Sequence, residues 1–187
     1  MIRFDRVSFG YRLRRNVLED LSLEIRTGDR ICLSGPSGCG KTTVLRLLLG
    51  LERPRRGSVT GTEEVRFSAV FQEDRLIPGK TVLENAALFA GEADARSILE
   101  RLGLGDALDS LPGEMSGGQR RRAALGRALA HPFDVLVLDE ALTGLDPAAA
   151  EQCLALIHES VGDKTLVMVT HDLTHARRLG AVVTELK

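Results

Sequence analysis

The sequence predicts an α/β protein: a mostly parallel sheet, antiparallel β-strands at the N-terminal side and a small helical subdomain. Three observations predict it. The apolar runs at 31–33, 133–138 and 165–169 are nearly continuous, as strands buried on both faces should be. Segments of helical period separate them. One strand runs straight into Gly35-Pro36-Ser37-Gly38-Cys39-Gly40-Lys41-Thr42-Thr43, and a helical stretch follows at once.

Each element has its own signal. Ile2, Phe4, Val7 and Phe9 suggest a first strand, and residues 18–25, with Leu21 and Leu23 alternating, its partner. Thr27-Gly28-Asp29 turns the chain into a strand at 30–33 that feeds the glycine-rich loop. Pro54 to Gly57 breaks the chain after the helix, and 58–60 and 65–71 suggest two more strands, with Gln72 closing the second. Thr81 and Glu84 have the spacing of a capping box opening a helix over 81–90. A second helix over 93–102 places Ala95, Ile98, Leu99 and Leu102 on one face. With 104–111 these make a helical insert at 72–114 that interrupts the α/β alternation. Ser116-Gly117-Gly118-Gln119 then opens a helix over 120–130, the buried strand at 133–138 ends in Asp139-Glu140, and Pro147 opens the next helix at a position proline tolerates. The strand at 165–169 delivers Thr170-His171-Asp172, and a short helix and strand complete the sequence.

The loop is a phosphate cradle in its chemistry. The full G-x-x-x-x-G-K-[ST] pattern lies between a strand and a helix, so backbone N–H groups and the positive helix end can converge on an anion. Lys41 supplies a point charge for the β- and γ-phosphates, and the Thr42 hydroxyl suits Mg²⁺. Four predicted strands leave a useful group at the carboxyl edge of the sheet, where ligands of open α/β sheets bind: the cradle, Gln72, Asp139 with Glu140, and His171. Two adjacent acids at a buried strand end are costly unless a cation or water compensates. Together these groups compose a Mg²⁺-nucleotide hydrolysis site in a P-loop NTPase core. Asp139 suits the metal, Glu140 the attacking water and His171 the γ-phosphate. His171 and His175 could instead ligate a metal, but no third ligand lies close in sequence. Arg120, Arg121 and Arg122 load a helix start with the charge its dipole disfavours, which points to an acidic partner or a phosphate nearby.

Composition sets outer bounds. The 187 residues allow one well-buried domain, and a net charge of −1 gives no global attraction to nucleic acid. The basic clusters Arg12, Arg14, Arg15 and Arg53, Arg55, Arg56 read as solvated surface. Cys32, Cys39 and Cys153 have no C-x-x-C spacing, so neither a disulfide framework nor a zinc site is indicated and a reducing compartment is expected. No apolar run is long enough to span a bilayer and no leader precedes the first strand, so any membrane role is expected to be peripheral.

With these motifs in hand the sequence resembles the nucleotide-binding subunit of the ATP-binding cassette (ABC) family. The loop GPSGCGKT, Gln72, the signature MSGGQ at 115–119, VLVLDE ending at Glu140, Asp146 and His171 occur in the family's order over nearly the whole chain. The resemblance implies one domain over 1–187, with a RecA-like core and β subdomain at 1–71 and 119–187 and a helical subdomain carrying the signature at 72–118. It implies that Tyr11 stacks on adenine, that Gly35 through Thr43 hold phosphates, and that Thr42, Gln72 and Asp139 meet Mg²⁺. Glu140, His171 and Gln72 are the implied catalytic residues. It further implies a head-to-tail pair in which Ser116, Gly117, Gly118, Gln119 and Asp146 complete the neighbour's ATP site. The implied partners are a second nucleotide-binding subunit, integral membrane permease subunits and a substrate-binding protein, at the cytoplasmic face of the membrane. The stretch VFQEDRLIPGKTVLENAAL is similar to importers for nitrate, sulfonates or taurine. The alternative is a soluble cassette ATPase acting on nucleic acid or ribosomes, but the long coiled coil or second cassette of those proteins is not in the sequence. Five departures from the family pattern stand out: Met115 for leucine, Ala141 for proline, Gly79-Lys80 where an aromatic is usual, a helical insert shorter than in most relatives, and a short tail after His171.

Overall fold

The computed structural model describes residues 1–11 and 16–186, so Arg12, Arg14 and Arg15 lie outside the described residues. Two sheets carry the fold. β1 (Ile2–Phe9) pairs antiparallel with β2 (Leu18–Ile25) on one side and β4 (Arg56–Thr60) on the other. The second sheet has the order β5 (Phe67–Val70), β6 (Val135–Asp139), β7 (Thr165–Val169), β3 (Arg30–Ser34), β8 (Val182–Glu185), with every neighbouring pair parallel. The strands expected to end in chemistry are therefore four consecutive ones. A parallel sheet puts all four carboxyl ends on one edge.

The near-continuous apolar runs conceal a period of two. Val135 and Val137 of β6, Val167 and Val169 of β7, and Ile31 and Leu33 of β3 face one core, shared with the antiparallel sheet and α1 (Lys41–Leu48). Leu136 and Leu138, Leu166 and Met168, and Cys32 face the other, shared with the remaining helices. On β6 and β7 the valines, branched at Cβ, lie toward α1, and the leucines and methionine, which are not, toward the larger helical layer. Side chains alternate across a strand, so burial on both faces produces this split without breaking the apolar run.

The helical layer contains α2 (Val82–Ala86), α3 (Glu92–Arg101), α4 (Gly117–Ala130), α5 (Pro147–Val161) and α6 (Leu173–Arg178). Thr81 caps α2 through a reciprocal box with Glu84, as its spacing predicts. The helix expected to reach residue 90 instead tightens into a 3-10 turn at Ala87–Phe89, a common way for a short helix to finish. The insert packs its apolar face, Ala95, Leu99 and Leu102, into the same core as Ala123, Leu125 and Leu129 of α4. Strand bounds are tighter than expected at 65–71, where only Phe67–Val70 pairs with β6.

The antiparallel sheet bends at two residues with left-handed backbones, Arg6 (φ 46) and Asp20 (φ 54). Each sits beside a break in the strand register. A serine on the facing strand satisfies each displaced amide: Arg6 N–H donates to Ser22 Oγ at 3.1 Å, and Asp20 N–H to Ser8 Oγ at 3.0 Å.

Candidate functional site

Gly40 is where the loop becomes a helix, and its backbone is left-handed at φ 102. A Cβ there would lie 2.6 Å from Leu18 Cδ2, so only glycine fits. Gly35 is similarly confined, with Cys39 Sγ 2.8 Å and Leu186 O 3.0 Å from an added Cβ. No side chain caps α1, and its first turn holds no acid, which leaves the helix start suited to an external anion. The Lys41 ammonium is drawn over the loop by Gly35 O at 2.8 Å and Pro36 O at 3.0 Å.

The start of α4 is built differently. Ser116 Oγ accepts from Gln119 N–H at 3.2 Å, and Gln119 Oε1 accepts from Ser116 N–H at 2.9 Å, a closed capping box. Asp146 closes α5 in the same spirit, accepting from Ala149 N–H at 3.0 Å. Three arginines follow Ser116-Gly117-Gly118-Gln119, and each finds a partner within the chain. Arg120 donates to Met115 O, Arg121 to Phe71 O and Gln72 O, and Arg122 to Leu102 O at the end of α3. Arg121 also meets Asp74 at 3.2 Å, so the acidic partner that the charge pattern called for is part of the loop after β5.

The carboxyl edge of the parallel sheet opens into a cleft of about 610 Å³. Ser37, Gly38, Gly40, Lys41, Thr42 and Thr43 form one wall, Gln72, Asp139, Glu140 and His171 approach from the neighbouring strand ends, and Tyr11 stands at the rim. The Tyr11 ring meets Phe9 edge-on at 5.0 Å and remains largely exposed, which leaves a face free to stack. Gly35, Pro36 and Cys39 do not line the cleft; nor do Ser116, Gly117, Gly118, Gln119 or Asp146. The cleft also includes Arg121 and Thr143, to which the sequence assigned no part in the site. The basic triplet drew attention to Arg121 but could not place it. Nothing in the linear pattern singled out Thr143.

Both acids are buried, Asp139 at 3% exposure and Glu140 at 9%. Burial pushes the Asp139 carboxyl above the ordinary aspartate range; the adjacent Thr42 hydroxyl pulls it back, the nearby Glu140 adds to the rise, and Lys41 opposes it. This donor set suits a divalent cation: a desolvated carboxylate next to a hydroxyl, with Gln72 lining the same cleft. Glu140 has a left-handed backbone (φ 53), and its Oε1 is buried without a hydrogen bond. His171 Nε2 is 3.3 Å from that oxygen, close enough for an ion pair but off the line of a hydrogen bond. His175 turns away to Asp172 at 3.6 Å, so the two histidines do not converge.

Similarity to known proteins points the same way. The ABC transporter family model matches residues 18–143. An aliphatic sulfonates import ATP-binding protein, SsuB 1, of Rhodococcus jostii is 39% identical over 185 residues, covering 94% of this chain and 76% of that one. Its Burkholderia lata counterpart is 40% identical over 175 residues, but there 89% of this chain corresponds to only 55% of the relative. Among solved structures, the ATP-binding cassette MJ0796, dimeric in a post-hydrolysis state with ADP and Pi, superposes with a TM-score of 0.90 at 28% identity. That match covers 100% of this chain and 94% of the other. A bacterial Atm1-family exporter with ATP bound shares the fold at a TM-score of 0.90 and 24% identity. An uncapped helix start above a glycine cradle, two buried acids at the end of β6 and a family match across most of the sequence give one assignment: the chain belongs to the ABC transporter family.

Proposed function

We propose that the chain is the ATP-binding and ATP-hydrolysing subunit of a membrane importer, working as a head-to-tail pair around two Mg²⁺-ATP. One observation carries this reading: four adjacent strand ends bring Lys41, Thr42, Gln72, Asp139, Glu140 and His171 to a single cleft beneath Tyr11. Tyr11 stacks on the adenine, and the loop amides with Lys41 hold the phosphates. Thr42, Asp139 and Gln72 hold Mg²⁺, which when bound offsets the charge on the phosphate oxygens. Glu140, at the end of β6 and lining the cleft, takes the proton of the attacking water. His171, beside that carboxylate, contacts the γ-phosphate.

The pairing is supported by where Ser116, Gly117, Gly118, Gln119 and Asp146 lie. They are outside their own chain's cleft, and Ser116 and Gly117 are exposed at the start of α4. In the pair, Ser116 and Gly118 of each protomer close over the triphosphate held by Lys41 of the other. The dimeric MJ0796 cassette with ADP and Pi supports that arrangement. No helix among the described residues is long and apolar enough to cross a membrane. The relatives named as import ATP-binding proteins support permease subunits as the channel, with the chain against them at the cytoplasmic face. The relatives named for aliphatic sulfonate import support an organosulfonate as cargo; a substrate-binding protein that delivers it belongs to the same proposal.

The test is Glu140→Gln. Hydrolysis of Mg²⁺-ATP by the purified chain should fall by about a hundredfold or more, the scale of a lost general base. Nucleotide affinity should be preserved and the dimer favoured. A variant that turns over like the native chain removes Glu140 from this role.

A further inference from the structure

A carboxylate that serves as a base needs one of its two equivalent oxygens in the right place, and Glu140 is held in a way that tells them apart. Its left-handed backbone, rare outside glycine, begins a tight turn. Thr143 closes that turn twice: its N–H donates to Glu140 O at 3.1 Å, and its hydroxyl donates to Glu140 Oε2 at 2.9 Å. The His171 N–H approaches the same Oε2 at 3.4 Å. Oε1 receives no hydrogen bond.

We propose that Thr143 is a positioning residue for ATP hydrolysis: its hydroxyl holds Oε2 of Glu140 and so fixes the orientation of the carboxylate that serves as the base. This rests on the reading of Glu140 as the base. The hydroxyl bond reaches nothing but the carboxylate, whereas the fold of the turn depends on the backbone bond, which any substitution with an N–H retains. Thr143 is exposed to the cleft, so removing its hydroxyl opens no cavity in the core. A carboxylate freed to rotate spends less of its time aligned, and misalignment of a reacting group lowers turnover without weakening substrate binding.

Thr143→Val keeps the shape and removes the donor; Thr143→Ser keeps the donor. On the full chain with Mg²⁺-ATP, the valine variant should lose about tenfold in kcat, a fraction of what the whole base contributes. KM and the equilibrium affinity for ATP should stay within about twofold, and serine should restore most of the rate. In the Glu140→Gln background the valine substitution should cost nothing further, because its effect passes through the carboxylate. Native turnover in Thr143→Val, an equal loss in the serine variant, or a full additional loss in the double variant each overturns the proposal. If Glu140→Gln is inactive while Thr143→Val is native, the base assignment stands and only the positioning role falls. If Glu140→Gln is native, both fall.

Discussion

The two ends of the parallel sheet are made from the same strands and have opposite characters. At the amino edge the polar and charged side chains at the starts of β3, β6 and β7 and just before β5 find partners within the chain. Arg66 and Asp134, preceding β5 and β6, share a two-pronged ion pair, and Asp134 also accepts from the Arg66 amide. Thr165 Oγ1, at the start of β7, accepts from Gly28 N–H at 3.0 Å, and Arg30 of β3 donates to Gly162 O and Leu179 O. At the carboxyl edge sit a buried acid pushed up by desolvation, a second acid with an unbonded oxygen, a left-handed Glu140 and an uncapped helix. One end is closed by its own contacts; the other holds groups whose cost a bound ligand can offset.

The comparison breaks most sharply at Asp139. Asp139→Asn should reduce Mg²⁺-ATP hydrolysis on the order of a hundredfold or more, and should remove the rise in Tm that Mg²⁺-ATP gives the native chain. The ligand-free protein should nonetheless become more stable at pH 7, by roughly 2–4 °C for about 1 kcal/mol in a chain of this size. The sign follows from burial. The native carboxyl titrates above its unfolded value, so its charged form opposes folding once the pH rises past the ordinary aspartate range of about 4. The advantage of asparagine should therefore vanish as the pH falls toward 4. A destabilised ligand-free variant would mean that Asp139 supports the fold, and the contrast between the edges would fail.

Thr165→Val probes the opposite end. Thr165 is buried, and its hydroxyl accepts from Gly28 N–H and donates to Arg26 O. Valine fills the same space but leaves the amide without a partner, at a cost of about 1–3 kcal/mol. Thermal unfolding should show a drop of several degrees. The turnover of molecules still folded should not change, since the residue is at the far edge from the cleft. A variant with native Tm and impaired hydrolysis would reverse the roles of the two edges.

What the sequence reveals of these edges depends on whether the signal is local. The cradle, the Asp139-Glu140 pair and the capping boxes at Thr81 and Ser116 are spacing patterns within a few residues, so they can be read before folding. The parallel order that joins four strand ends follows from apolar runs separated by helices. Arg121 could not be read in this way, because its acceptors are backbone carbonyls 49 and 50 residues earlier, and a carbonyl has no residue-type signature. The left-handed Glu140 was hidden for a related reason. The usual mark of that backbone is glycine, and here an acid carries it. Asp146 shows the converse: the Pro147 after it reads plainly as a helix start, which the structure shows Asp146 to cap, while its proposed contact with a second protomer rests on the family pattern alone.

The smallest effect is expected at the most conspicuous ion pair. The Arg66 guanidinium holds the exposed Asp134 carboxyl down to about 2, well below its ordinary value. A depressed carboxyl adds stability above its unfolded value near 4, and the contribution is lost as the pH falls from there through 2. Both side chains are in water, so screening removes much of what the geometry suggests. Asp134→Asn should lower Tm by no more than about 3 °C at pH 7 and low salt. The difference from the native chain should shrink in high salt and close only as the pH falls through about 2, with hydrolysis at neutral pH unaffected. A loss as large as that from Thr165→Val would show that the amino edge depends on its charges. A smaller one leaves buried hydrogen bonds such as that of Thr165 as what holds this end of the sheet, and so fixes the frame on which the strained carboxyl edge is carried.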